Sequence, residues 1–377
     1  MWISELRYMD PRTDAYMGSP SLVRLPDGAI IASHDYFGKG CPRNLEGEEH
    51  LTSIYRSEDD GLTWKNLTHI SGAYWSSLFV HDDALYLLGT SAQYGSIVIR
   101  RSENGGYRWT FPADAGSGLI DKGGVYHDNP NYHCAPVPLL HAQGRIWRAF
   151  EDCHDAVWGS GFRALVISAP EDSDLLNAAN WTMTNKLVYD QDTDPPEFAG
   201  GGNGAGWLEG NVVEGPDGQL WDILRCASVP VLNKGAMVKI TDPETLELDP
   251  ATSFIDMPGG LSKFSIRRDP VDGVYWTLTN DMQDEPYPVR RNRLSIFSST
   301  DLKNWTRRRV LLEDNMECDP EASVTNTGFQ YVDWQFDGDN IIYLVRTGYD
   351  GAHNMHDANR MTFSRIRNYR LLLGQER

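Results

Sequence analysis

Positive charge is scarce in this 377-residue chain: 34 Lys and Arg face 53 Asp and Glu, a formal net charge of −19. A nucleic-acid surface needs a basic footprint, so that partner class is excluded. An anionic ligand held in a local basic pocket is not excluded. Long hydrophobic runs are missing too. No stretch approaches the roughly 20 apolar residues that span a bilayer, so no membrane partner is expected. The start, Met1-Trp2-Ile3-Ser4-Glu5, has neither the basic nor the apolar region of a signal peptide, which leads to the expectation of a cytoplasmic protein unless a leader was trimmed away. Cysteine is sparse and odd in number: Cys41, Cys134, Cys153, Cys226 and Cys318 share no spacing of a disulfide scaffold or zinc ribbon. Reduced thiols are expected.

What is present is turn and aromatic chemistry, with 35 Gly, 20 Pro and 12 Trp. A hydrophobic run, a tight turn and a second hydrophobic run recur along the chain. The first copy is Ser21-Leu22-Val23-Arg24-Leu25, then Pro26-Asp27-Gly28, then Ala29-Ile30-Ile31-Ala32-Ser33. Matching turns fall at Asp82-Asp83, Gln143-Gly144, Pro216-Asp217-Gly218, Asp272-Gly273 and Asp337-Gly338-Asp339. Such residues between β-rich runs mark hairpins. Their spacing of roughly 55 to 75 residues leaves room for one four-stranded blade each. A second motif is in phase with the first. Ser57-Glu58-Asp59-Asp60-Gly61-Leu62-Thr63-Trp64 matches the Asp box, S-x-D-x-G-x-T-W, with degenerate copies beginning at Ser102 and Ser299. Its carboxylate or amide bonds turn amides, its Gly permits a left-handed conformation and its Trp packs between blades, a structural role. The chain is therefore read as all-β: one propeller domain over residues 1–377, six blades counted, closed by pairing of a strand near Ile3 to Tyr8 with one near Asn359 to Arg365.

Both ends of each inner hairpin gather on one rim. Counting about 8 to 11 residues back from each turn, two short strand arms, gives Trp75, His133, Glu209, Lys263 and Gln330. Counting about 6 to 8 forward gives His34, Ser91, Glu151, Arg225, Asn280 and Arg346, with Asp35 next to His34. A central funnel lined by these polar groups, opposite the Asp boxes, is the expected active site. The segment His353-Asn354-Met355-His356-Asp357 reads as loop capping rather than as a metal site.

Two resemblances attach to these residues. The Asp boxes, and Glu209 followed by Arg225, resemble sialidases, although the Y-R-I-P motif of their first blade is replaced here by Tyr16-Met17-Gly18-Ser19-Pro20. Gly18-Ser19-Pro20 with Ser33-His34-Asp35, Tyr132-His133-Cys134-Ala135-Pro136, Asn211-Val212-Val213 with Leu224-Arg225, and the Gly328 to Trp334 and His356 to Arg360 stretches resemble ulvan lyases and rhamnose–glucuronate lyases. Those lyases have seven blades and carry tyrosine where Glu209 stands. The second resemblance implies β-elimination at a uronic acid of an anionic oligo- or polysaccharide. His133 and His154 would transfer protons, Arg225 would neutralise the carboxylate and Glu209 would orient a histidine. His34, Asp35, Lys263, Asn280, Gln330 and Arg346 would bind substrate. It also allows a calcium or zinc ion in the central channel, with no ligand set assigned. The alternative is a propeller glycoside hydrolase, rhamnosidase-like or sialidase-like, using the carboxylates Asp35, Glu151 and Glu209. A third reading is a non-catalytic sugar-binding propeller.

Overall fold

The computed structural model describes residues 2–124, 128–154, 157–198, 206–228, 231–282, 287, 290–316 and 319–374. Six antiparallel sheets stand around one axis. Blade 1 runs outward through Tyr16–Arg24, Ile30–Phe37, Leu51–Ser57 and Lys65–Ser71, and blade 2 through Tyr74–His81, Ala84–Thr90, Ile97–Ser102 and Leu119–Asp121. In blade 3 the innermost strand is split into Tyr132–His133 and Leu140–Ala142, both paired with Arg145–Cys153; Phe162–Pro170 and Thr182–Met183 follow. Blade 4 comprises Trp207–Glu214, Leu220–Cys226, Lys234–Asp242 and Thr245–Glu247, with Phe254–Asp256 also on the third strand. Blade 5 comprises Ile266–Arg268, Tyr275–Asn280, Arg293–Ser299 and Thr306–Glu313. Blade 6 takes Gly328–Asp337, Asn340–Gly348 and Arg360–Ile366 from the end of the chain and Ser4–Tyr8 from its start.

Period-two alternation explains why the inner runs are apolar on both sides. Ile30 packs toward blade 6 while Ile31 packs toward blade 2. Ile146 faces blade 2 and Trp147 blade 4; Ile341 faces blade 5 and Ile342 blade 1. Each of the six seams holds its own hydrophobic cluster. Outer strands such as Lys65–Ser71 are largely exposed.

Every seam also carries a hydrogen bond between a side chain and the next blade's backbone. Leu78 N–H donates to Ser21 Oγ (2.9 Å), Ser77 Oγ to the Val137 carbonyl (3.1 Å), and Gly210 N–H to Glu151 Oε1 (2.9 Å). Ile266 N–H donates to Asn211 Oδ1 (2.8 Å), Ser265 Oγ to the Val332 carbonyl (3.0 Å), and Leu22 N–H to Asp333 Oδ2 (2.8 Å).

All six inner hairpins turn through left-handed residues where the sequence placed them, among them Gly28, Asp82, Gln143, Gly218, Gly273 and Gly338. At residues 57–64 the Ser57 hydroxyl takes the Gly61 N–H (2.8 Å), and Asp59 takes the Thr63 N–H (2.8 Å). Asn104 and Asp301 bond the turn amides in the same way. The Arg56–Asp27 ion pair (2.7 Å) ties the strand before this turn to the inner hairpin turn of blade 1, so both kinds of turn lie on one face. The opposite face is left for the strand ends that carry the site. Cys41, Cys134, Cys153 and Cys226 are buried and form no disulfide among the described residues, and Cys318 lies outside them.

The closing seam makes a stability prediction. Asp333 accepts from both Leu22 N–H and the Ser21 hydroxyl (2.9 Å). Asp333→Ala orphans these buried donors and is expected to lower the unfolding free energy by about 2–3 kcal/mol. Exposed Glu103→Ala should stay within about 0.5 kcal/mol of the parent. Urea denaturation measures both, and equal effects would contradict the role given to the seam.

Candidate functional site

The rim residues converge on a cavity of about 240 Å³ at the top of the axis. Three of its side chains share an unusual backbone. Trp75, Glu209 and Tyr331 occupy matching places in the inner strands of blades 2, 4 and 6, and all have positive φ (47°, 59° and 50°). At each the ladder slips: the register shifts between Tyr74 and Ser77, between Leu208 and Asn211, and between Gln330 and Val332. A bulge re-aims a side chain, and left-handed φ in residues this bulky costs on the order of 1–3 kcal/mol each. Here the bulges turn Trp75, Glu209 and Tyr331 into the funnel. Blade 1 slips at the matching place, between Met17 and Pro20, where Gly18 stands. A Cβ on Gly18 would lie 1.8 Å from Asp35 Oδ1, so a side chain there would displace the carboxylate.

Glu209 and Tyr331 meet. The Tyr331 hydroxyl donates to Glu209 Oε1 (2.8 Å), and Arg225 Nη1 holds Glu209 Oε2 (3.0 Å). Burial pushes the Glu209 carboxyl up, but the charges of Arg225 and Lys263 outweigh it and hold the group ionised below its ordinary value. Burial and the Glu209 charge push the Tyr331 phenol up. Three guanidiniums surround that phenol. Arg225 lies 3.5 Å from its oxygen, and Arg346 and Arg291 lie 5.0 and 5.8 Å from its ring centre. The Nε atoms of all three are buried without a partner among the described residues.

Across the cavity, Asp35 accepts the N–H groups of Ser19 (2.6 Å) and Trp75 (2.9 Å). Burial outweighs these bonds and the Arg346 charge, raising its carboxyl to about 7. Beside it, His133 places Nδ1 on Glu151 Oε2 (2.7 Å), which fixes the proton on Nδ1 and leaves Nε2 without a partner among the described residues. Glu151 is fully buried, and its other oxygen takes the Gly210 N–H, next to the Glu209 bulge.

Of the expected residues, the cavity brings together Asp35, His133, Glu209 and Arg346, with Arg225 directly behind Glu209. The others are elsewhere. His34 alternates away from Asp35 along its strand and stacks on Tyr55 inside the blade, with Nε2 3.1 Å from the Tyr55 hydroxyl. Burial pushes it down to about 4, a neutral structural histidine. Gln330 is displaced by the bulge that admits Tyr331; it bonds Arg291 and the Met355 carbonyl (2.5 Å). Asn280 donates to the carbonyls of Phe329 (2.7 Å), Arg291 and Arg293, clipping blade 5 to blade 6. Lys263 is buried behind the wall against the Phe264 carbonyl, pushed down to about 8 by burial. His154 follows the end of its strand and does not line the cavity. Sequence reasoning missed Tyr331, Arg291 and Trp158. His356 joins the wall by accepting Arg346 Nη2 on its carbonyl (2.6 Å), while its ring bonds Asp357 (3.1 Å). Among the described residues no group of three or more His, Cys, Asp or Glu side chains converges as a metal site would require.

A larger cavity, about 600 Å³, opens on the opposite face between the inner strands of blades 3 to 6. Its Asp269 is taken up by Tyr369 (2.6 Å) and Arg370 (2.7 Å). The chemistry therefore gathers at the smaller cavity.

No family model and no curated protein matches the sequence. Solved structures do match in shape. The α-L-arabinanase of Penicillium chrysogenum complexed with arabinobiose is 16% identical at a TM-score of 0.60, covering 98% of this chain and 97% of its own. The α-L-arabinofuranosidase of Fusarium graminearum bound to an iminosugar inhibitor is 13% identical at 0.61, with 99% of each chain covered. A leech intramolecular trans-sialidase complexed with 2,7-anhydro-Neu5Ac is 13% identical at 0.60, covering all of this chain and 71% of its own. These likenesses establish the fold alone: a six-bladed, sialidase-like propeller.

Proposed function

We propose that this chain is an exo-acting, retaining glycoside hydrolase that removes a terminal sugar bearing a carboxylate. The observation that carries the reading is the Tyr331 hydroxyl bonded to an ionised Glu209 under three arginines. A phenol with a raised pKa is a poor nucleophile until a base takes its proton, and Glu209 is in place to do so. Tyrosine serves as nucleophile in sialidases. It suits an anionic sugar because a neutral hydroxyl, unlike a carboxylate, does not repel it. Arg346 on the cavity wall, backed by Arg291, offers the charge that the carboxylate needs.

The steps balance. Tyr331 Oη attacks the anomeric carbon and passes its proton to Glu209, while protonated Asp35 gives its proton to the departing glycosidic oxygen. Asp35, now ionised, then takes a proton from water, whose oxygen displaces Tyr331 from the sugar. Glu209 returns the proton to the phenolate. Elimination is supported less well: Arg225, which would face the uronate, is bound to Glu209 and the Leu261 carbonyl (2.8 Å), and His154 lies outside the cavity.

Assay of oligosaccharides of sialic acid and of 4-linked hexuronic acid, with products read by mass and ultraviolet absorbance, tests the reading. Added water without a new chromophore is expected. An unsaturated product would establish elimination, and binding without turnover would establish a sugar-binding propeller. Tyr331→Phe is expected to lower kcat by at least about 10²-fold. The pH profile has a definite sign. Asp35 must be protonated to act as acid, so kcat/KM on substrates with poor leaving groups should fall as pH rises through about 7. Asp35→Ala should lower kcat/KM on such substrates by roughly 10²–10⁴-fold and abolish that limb. It should spare kcat/KM on activated aryl glycosides, which leave without a proton, while slowing their kcat because the second step loses its base.

A further inference from the structure

The funnel has two chemically different sides. Blades 4 to 6 supply the arginines around Tyr331. Blades 2 and 3 supply an aromatic box around His133: Trp75 lies edge-on at 4.4 Å, Phe162 stacks at 4.8 Å and Trp158 lies edge-on at 5.8 Å. Trp158 lines the cavity yet is 49% exposed, an indole at the mouth that no described residue covers fully. A half-exposed Trp packed edge-on against Phe162 (5.1 Å) is held in orientation while keeping apolar surface for a ligand. The cations on this side are already committed: Arg163 and Lys186 to Asp152 (2.5 and 2.8 Å), and Arg148 to the carbonyls of Ala135 and Ala149. The remaining carboxylates here are Glu49, paired with Arg43 (3.1 Å), and Glu151, which holds His133. Within this box His133 lines the cavity, and the proposed hydrolytic steps do not use its Nε2.

We infer that the aromatic side is a leaving-group subsite for a neutral sugar ring. The apolar C–H face of the ring stacks on Trp158, and a ring hydroxyl bonds His133 Nε2, whose tautomer Glu151 fixes. Resting on the hydrolase reading, this names the substrate class: a charged terminal sugar attached to a neutral carbohydrate, not to a second acidic sugar. An acidic neighbour would meet Glu49 and Glu151 with no unpaired cation on this side among the described residues to offset it.

The test compares three substrates with one acidic sugar: its glycosyl fluoride, which has no leaving-group ring, its glycoside of a neutral disaccharide, and its homodimer. The wild-type chain is expected to favour the neutral disaccharide over the homodimer by about tenfold or more in kcat/KM. Trp158→Ala should lose about tenfold on the neutral disaccharide, chiefly through KM, and change less than about twofold on the fluoride. His133→Gln, which keeps a polar tip, should lose less than His133→Ala on the disaccharide. Equal use of homodimer and disaccharide, or an unchanged disaccharide-to-fluoride ratio in Trp158→Ala, overturns the subsite. Failure of the wild type to turn over the fluoride overturns the hydrolase reading instead. In that case calorimetric binding of the free neutral disaccharide decides the subsite: loss in Trp158→Ala supports it and equal binding in both proteins overturns it.

Discussion

Closing six twisted sheets around one axis leaves polar groups on the innermost strands that their own blades cannot satisfy, and the structure depends on where those groups go. They are bonded across the seams. The chain of donors from Leu78 N–H to Ser21, and from the Ser21 hydroxyl to Asp333, links blades 2, 1 and 6. Glu151 performs the same service between blades 3 and 4 and also holds His133. An unsatisfied buried donor costs about 1–3 kcal/mol, so each bond fixes the distance between blades as firmly as the apolar clusters fix their faces.

That rigid frame is what lets the site hold strained backbone. Trp75, Glu209 and Tyr331 sit in conformations that such residues avoid, and each is pinned by a neighbour from another blade. Asp35 takes the Trp75 N–H, Glu151 takes the Gly210 N–H next to Glu209, and Glu209 itself takes the Tyr331 hydroxyl. Two of the pinning residues also have their ionisation set by the environment: Asp35 raised by burial, Glu209 held low by Arg225 and Lys263. Two carboxylates with opposed protonation on one cavity, beside a phenol, form an arrangement for proton transfer in both directions.

The fold was legible because its turns demand particular residues. Asp-Gly, Asp-Asp and Gln-Gly pairs supply the left-handed positions of the inner hairpins, and their six recurrences count six blades. The site was only half legible, because a one-residue slip moves a side chain to the other face. Counting along an unbroken strand selects Gln330, and the bulge after it delivers Tyr331 instead. Counting cannot separate His34 from Asp35, although alternation allows only one to face the axis. Glu209 was found because a carboxylate followed sixteen residues later by an arginine has a chemical signal of its own. Trp158 stands on a connection between strands, where no period operates.

The central claim, that Tyr331 is the nucleophile of a retaining hydrolase, is tested most directly by trapping. A fluorinated acidic glycosyl fluoride forms its intermediate faster than water can clear it, and peptide mass spectrometry then locates the sugar. The account predicts one covalent sugar on Tyr331, absent from Tyr331→Phe. A sugar attached to Asp35 or Glu209, or turnover that releases product with inverted anomeric configuration, would contradict it.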